Sequence, residues 1–144
     1  MKKVYRILLI LHIFVGIRAI AGGIAAITNP ENPLGMPSES LENAPFDSFL
    51  IPGIILFTVI GLGNILSAVT FRYKLIIQGY ISSVFTWAIV IWIIVQCWML
   101  QDIVFLHVLY LIIGLFGAIL SMIILFEKNL FPANLGRYIF KKIF

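Results

Sequence analysis

Charge is scarce in this chain of 144 residues: Asp, Glu, Lys and Arg make up 11% of it, against 62% for hydrophobic residues. A soluble domain carries about 25% charged residues, so a polar shell around a water-soluble core is excluded. Cysteine is scarcer still. Cys97 stands alone, which rules out an internal disulfide, a CxxC redox pair and the thiol chemistry of a quinone-linked disulfide reductase. The six carboxylates, Glu31, Glu39, Glu42, Asp47, Asp102 and Glu127, all fall outside the apolar stretches. The chain therefore lacks the buried acid of a proton-coupled drug exporter. Its two histidines, His12 and His107, fall at different depths, which excludes haem held between them. No HExxH or GxSxG motif occurs, and no metal or other cofactor is expected.

The net charge of +4 would suit a nucleic-acid partner, but the cations cluster at the ends of apolar stretches rather than along a stripe, so none is expected. Nor do the stretches alternate, as strands of a membrane β-barrel would.

What remains is long apolar sequence. Four stretches, at about 4–28, 48–70, 75–100 and 103–126, each match the ~20 residues needed to cross a hydrocarbon core. Backbone groups in lipid must bond internally, so each becomes a helix. The expected fold is a single all-α domain over residues 1–144, an integral-membrane four-helix bundle. The first stretch is too long for a signal core and reads as a retained helix.

Lys2, Lys3, Arg6, Arg72, Lys74, Lys128, Arg137, Lys141 and Lys142 fall on one side of this bundle, and every acid but Glu127 on the other. The bias of Lys and Arg in short loops puts both termini in the cytoplasm, in a multi-pass protein of the bacterial inner (plasma) membrane.

The loop 29–47 holds Pro30, Pro33, Pro37 and Pro45, and is expected to be turn-rich. Leu34, Met36, Leu41 and Phe46 would fold it over the bundle mouth as a lid. Gln101 and Asp102 make a tight hairpin between the last two spans. The tail 127–144 mixes aromatic and basic residues, as in a segment lying on anionic lipid.

One cation breaks the pattern. Arg18 lies inside the first span, where a charge costs at least ~2.5 kcal/mol unless it is paired or reaches the interface. Gln96 and His107 lie about 6–8 Å inside the outer boundary, from the 1.5 Å rise per residue. Arg18, whose side chain can extend outward, could converge with Gln96, His107 and Tyr110 under the acidic loop, with Asp47 or Asp102 as counter-ion. That makes a ligand pocket, or else a structural clamp between Arg18 and an aspartate. Gln78, Ser82, Thr86 and Gln96 form an inward polar stripe on the third span. His12, Asn64, Ser67 and Gln78 form a second polar set toward the cytoplasm, read as interhelical bonding. Gly22, Gly23, Gly61, Gly114, Gly117 and Ala118 are read as helix-packing positions.

Several segments carry a resemblance: Arg18-Ala-Ile-Ala-Gly-Gly, Leu34-Gly35-Met36-Pro37, Pro45-Phe46, Phe49-Leu50-Ile51-Pro52-Gly53 and Trp92-Ile-Ile-Val-Gln96. From Arg18 to about Gly117 the chain resembles small bacterial four-span membrane proteins that bring no established activity. The early in-span arginine followed by glycines is also similar to DoxX-like four-helix proteins, which implies a quinone or redox partner complex.

Three readings result. The first is a non-enzymatic protein that binds a lipid-like or small amphiphilic ligand around Arg18. The second is an accessory or scaffolding subunit docking a larger transporter or redox complex, or a second copy, through its small-residue faces. The third is an intramembrane enzyme using His107, or a redox component. In each, membrane lipids are the surrounding partner.

Overall fold

The structure, a computed structural model, describes residues 1–144, the side chain of Ala133 excepted. Four long helices, α1 (Lys2–Thr28), α2 (Leu50–Tyr73), α3 (Gln78–Leu100) and α4 (Phe105–Glu127), are each long and apolar enough to cross a membrane. A shorter α5 (Ala133–Ile143) follows. No strand occurs among the described residues. The chain thus has the fold of a multi-pass membrane protein. Its helices end where the backbone leaves the right-handed region: Lys74 after α2 and Gln101 after α3 both adopt left-handed conformations, with φ of 49° and 50°.

The outward faces carry Ile10, Ile17, Ile91, Ile94, Ile112 and Ile119, all exposed. That much apolar surface in water would drive aggregation; in a bilayer it meets acyl chains. Inward faces carry small and polar residues instead. Lipid offers no hydrophobic incentive for helices to associate, so close packing has to supply it.

Glycines let the backbones meet. A Cβ on Gly23 of α1 would fall 2.6 Å from Phe57 Cβ, and one on Gly61 of α2 would fall 2.7 Å from Ile20 Cγ1. Gly114 and Gly117 of α4 pack against α3 in the same way, near Val90 and Thr86, and Ala118 beside them is buried. Gly63 of α2 faces the Phe85 ring of α3. The α1–α2, α2–α3 and α3–α4 seams are all closed through such contacts.

Stacked layers fill the interior. Near the chain termini, Leu8, Phe71, Leu120 and Ile124 form an apolar cluster. His12, Asn64, Ser82 and Ser121, all fully buried, make a polar layer shared by the four helices. Leu11, Val15, Ile60, Ile89, Trp92 and Ile93 make a second apolar layer. At the loop end Ala26, Leu41 and Phe49 pack together, with Ala44, Phe46 and Leu100 around them. Of the four apolar residues expected to fold the first loop over the bundle mouth, Leu41 and Phe46 pack against it while Leu34 and Met36 are exposed; two short 3-10 turns, Pro33–Gly35 and Ser38–Leu41, supply the loop's bends.

The regular helix expected over the second span is interrupted. Its segment Leu56–Leu62 is π-helical. Polar side chains occupy carbonyls just before and within it: Thr58 Oγ1 donates to Ile54 O at 2.7 Å, and Asn64 Nδ2 donates to Ile60 O at 2.7 Å. Segments of this kind are uncommon and often mark functional sites.

The tail forms a helix rather than a loose end. On α5 Leu135, Ile139 and Ile143 share one face, flanked by Phe140 and Lys142, and Arg137 and Lys141 lie on the other, all exposed. Arg137 Nη2 donates to Phe126 O at 3.0 Å, tying α5 to the end of α4.

Candidate functional site

Between the second apolar layer and the loop lies a cavity of about 450 Å³. All four long helices and the first loop contribute to its wall. Val15, Ile60 and Ile89 form the floor. Ala26, Phe49, Pro52 and Met99 line it higher up, and Pro33, Leu34 and Met36 of the loop close over it. Leu56 and Ile60, both in the π-helical segment, belong to the same wall. The volume lies within the 300–1,000 Å³ range of small-molecule pockets.

Four of the six ligand-binding residues expected from the sequence line this cavity: Arg18, Gln96, His107 and Tyr110. They come from α1, α3 and α4, and they are its main polar groups. Arg18 is exposed at the wall rather than sealed within it. Its Nε donates to Tyr110 Oη at 3.4 Å. The Tyr110 ring stacks on Phe14, one turn before Arg18, with centroids 6.4 Å apart and planes 14° from parallel. The tyrosine is thus held on one side by an aromatic face and on the other by the guanidinium.

The two aspartates sit elsewhere. Asp47 and Asp102 are exposed loop residues, and neither lines the cavity. Asp102 Oδ1 instead accepts the Ile103 N–H at 2.8 Å, fixing the hairpin that leads into α4. The clamp between Arg18 and an aspartate is therefore not what orients the guanidinium here; Tyr110 does that.

His107 has a defined orientation. It is the third residue of α4, and its Nδ1 accepts the Val104 N–H at 3.3 Å, capping the helix start. An accepting Nδ1 carries no proton, so in the neutral ring the proton resides on Nε2, which is a donor. Trp92, buried in the cavity wall, keeps its indole N–H without an acceptor among the described residues. Sequence reasoning missed this tryptophan as a cavity residue, noting it only as the start of the segment Trp92-Ile-Ile-Val-Gln96.

Gly22 also faces the cavity; a Cβ there would lie 3.2 Å from Leu56 Cδ2. The other packing positions, Gly23, Gly61, Gly114, Gly117 and Ala118, are buried between helices.

Two members of the second polar set, His12 and Asn64, join Ser82 and Ser121 in a hydrogen-bonded chain. His12 Nδ1 meets Asn64 Oδ1 at 2.7 Å, and His12 Nε2 meets Ser82 Oγ at 2.7 Å. Ser82 Oγ meets Ser121 Oγ at 2.8 Å, and Ser121 Oγ donates to Gly117 O at 2.8 Å. Helices α1, α2, α3 and α4 are joined through it, as interhelical bonding requires. Ser67 Oγ and Gln78 Nε2 remain without partners among the described residues. The polar stripe of α3 divides accordingly: Gln78, Ser82 and Thr86 are buried in the bundle, and Gln96 reaches the cavity.

Among the described residues no three His, Cys, Asp or Glu side chains are grouped to hold a metal ion. The chain matches no protein-family model, no curated protein and no solved structure.

Proposed function

We propose that this is a plasma-membrane protein with both termini in the cytoplasm, which binds a small amphiphilic molecule in the cavity around Arg18, in the outer half of the bilayer. One observation carries the reading. A lone in-span arginine, with two of its guanidinium nitrogens uncommitted, stands at the edge of a ligand-sized apolar cavity beside three further polar side chains. Apolar walls with a few convergent polar groups are the usual make-up of a small-molecule site. The lid over the cavity and the π-helical segment in its wall fit the same purpose.

Arg18 contributes charge-assisted bonds to the ligand head, and Gln96, His107 and Tyr110 orient it. The scaffolding alternative draws less support. It needs small-residue faces free for a partner, and Gly114 and Gly117 are already spent on α3, with Ala118 buried beside them.

Extraction of the purified protein tests the proposal. Wild-type protein in mild detergent or nanodiscs should carry a near-stoichiometric amphiphile detectable by mass spectrometry. Arg18→Gln should retain about ten- to a hundredfold less, the equivalent of losing one charged hydrogen bond at roughly 1.5–3 kcal/mol. Equal occupancy in the two proteins would refute the assignment.

A further inference from the structure

Resting on that reading, we infer that the ligand is a lipid-derived oxyanion and that it reaches the cavity sideways, from the loop-side leaflet, through the seam between α1 and α4. The head chemistry follows from which groups are free to donate. Arg18 has Nη1 and Nη2 to give. Tyr110, accepting from Arg18 Nε, keeps its own hydroxyl proton. His107 accepts through Nδ1 and so donates through Nε2. Gln96 alone brings both kinds of group. Donors in this excess, one of them a full cation, call for an acceptor-rich anion, a carboxylate or a phosphate, in preference to an alcohol or an amine.

The route follows from where the wall is thin. The cavity residues contributed by α2 and α3 are buried or half-buried, with none exposed. The exposed ones are Arg18 and Ala21 on α1, Leu34 and Met36 on the loop turn, and Val104 and Leu106 at the start of α4. The seams between consecutive helices are closed by glycine contacts; between α1 and α4 such a contact, Gly117 near Leu11, lies below the cavity floor, and at cavity level the two helices meet through side chains, the Arg18–Tyr110 hydrogen bond and the Phe14–Tyr110 stack. An opening for a water-borne solute would be rimmed with polar groups. This rim is apolar except for Arg18, which is the rim a lipid tail would cross while its head pairs with the guanidinium.

Binding of the fluorescent fatty acid cis-parinarate, delivered from phosphatidylcholine vesicles, tests both parts. Wild-type protein should bind the acid about tenfold or more tighter than the matching alcohol, the effect of one charge-assisted hydrogen bond. An alkyl phosphate competing as well as a fatty acid would assign a general oxyanion site; competition by the fatty acid alone would assign a carboxylate site. Either supports the inference, and parity between acid and alcohol overturns the head chemistry while leaving the cavity.

For the route, Ala21→Cys is placed in a Cys97→Ser background and modified with a bulky disulfide-forming reagent. Association and dissociation should slow together by about fivefold or more, since access rather than affinity is obstructed, and reduction should restore both in the same sample. Unchanged rates in the modified protein, or accelerated dissociation alone, overturn the lateral route. Absence of parinarate binding, of directly measured alkyl phosphate binding and of any copurified amphiphile in wild-type protein would defeat the ligand-binding reading itself.

Discussion

Gly23→Ala lowers the stability of the bundle by about 2–3 kcal/mol, the upper part of the range for overpacked sites. The added methyl would fall 2.6 Å from Phe57 Cβ and 2.8 Å from both its Cα and its backbone N. Two of those three atoms are backbone, so no change of rotamer makes room. The α1 and α2 helices must separate, and the separation forfeits the dispersion contacts on which helix association in lipid depends. Gly136 provides the control. A Cβ there has nothing within 4 Å, so Gly136→Ala should be neutral or gain roughly 0.5–1 kcal/mol from helix propensity. Unfolding in mixed micelles by titrated denaturing detergent measures both. A Gly23→Ala protein as stable as wild type would mean that the α1–α2 contact is looser than its geometry shows. Phe57 adjoins Leu56 of the cavity wall, so a separation at Gly23 should also weaken ligand retention.

Much of this fold was legible because the bilayer allows few solutions. Apolar runs of spanning length must be helices, and Pro52 in the first turn of α2 is tolerated because its missing N–H has no partner there in any case. Short connections such as Gln101-Asp102 then force neighbouring helices to run antiparallel. The convergence of Arg18, Gln96, His107 and Tyr110 was readable from depth and helical phase, which place side chains from different helices at one level. Lateral placement was not readable. Nothing in the spacing shows that Arg18 meets Tyr110 rather than Asp47 or Asp102, since a loop carboxylate can bond its own backbone more cheaply than it can reach into the bundle. The π-helical segment also escaped, because Thr58 and Asn64 mark it only through bonds to carbonyls four residues earlier, which ordinary helices also accept. The role of His107 as a cap was equally hidden. It depends on the extended backbone of Val104, at ψ 164°, turning that N–H toward the ring.

The polar layer beneath the cavity yields the second large expected effect, and it separates two residues that look equivalent in the sequence. Asn64 Nδ2 is committed to Ile60 O, so Asn64 Oδ1 faces His12 and must receive the Nδ1 proton. The four contacts from Asn64 through His12, Ser82 and Ser121 to Gly117 O each require one proton. A neutral imidazole supplies one, and each serine supplies one. Three protons serve four contacts, so Ser121 can donate to Gly117 O or to Ser82 Oγ, but not to both. His12→Ala therefore removes two bonds and the ring that fills the layer, and should cost roughly 2–4 kcal/mol, as other large-to-small changes in packed interiors do. Ser121→Ala removes only the hydroxyl that cannot satisfy both neighbours. His12 and Ser82 remain paired, and the expected change is within about 0.6 kcal/mol, the average for a polar contact between membrane helices. The same micellar unfolding assay reads both variants. Comparable losses for the two would overturn this proton count.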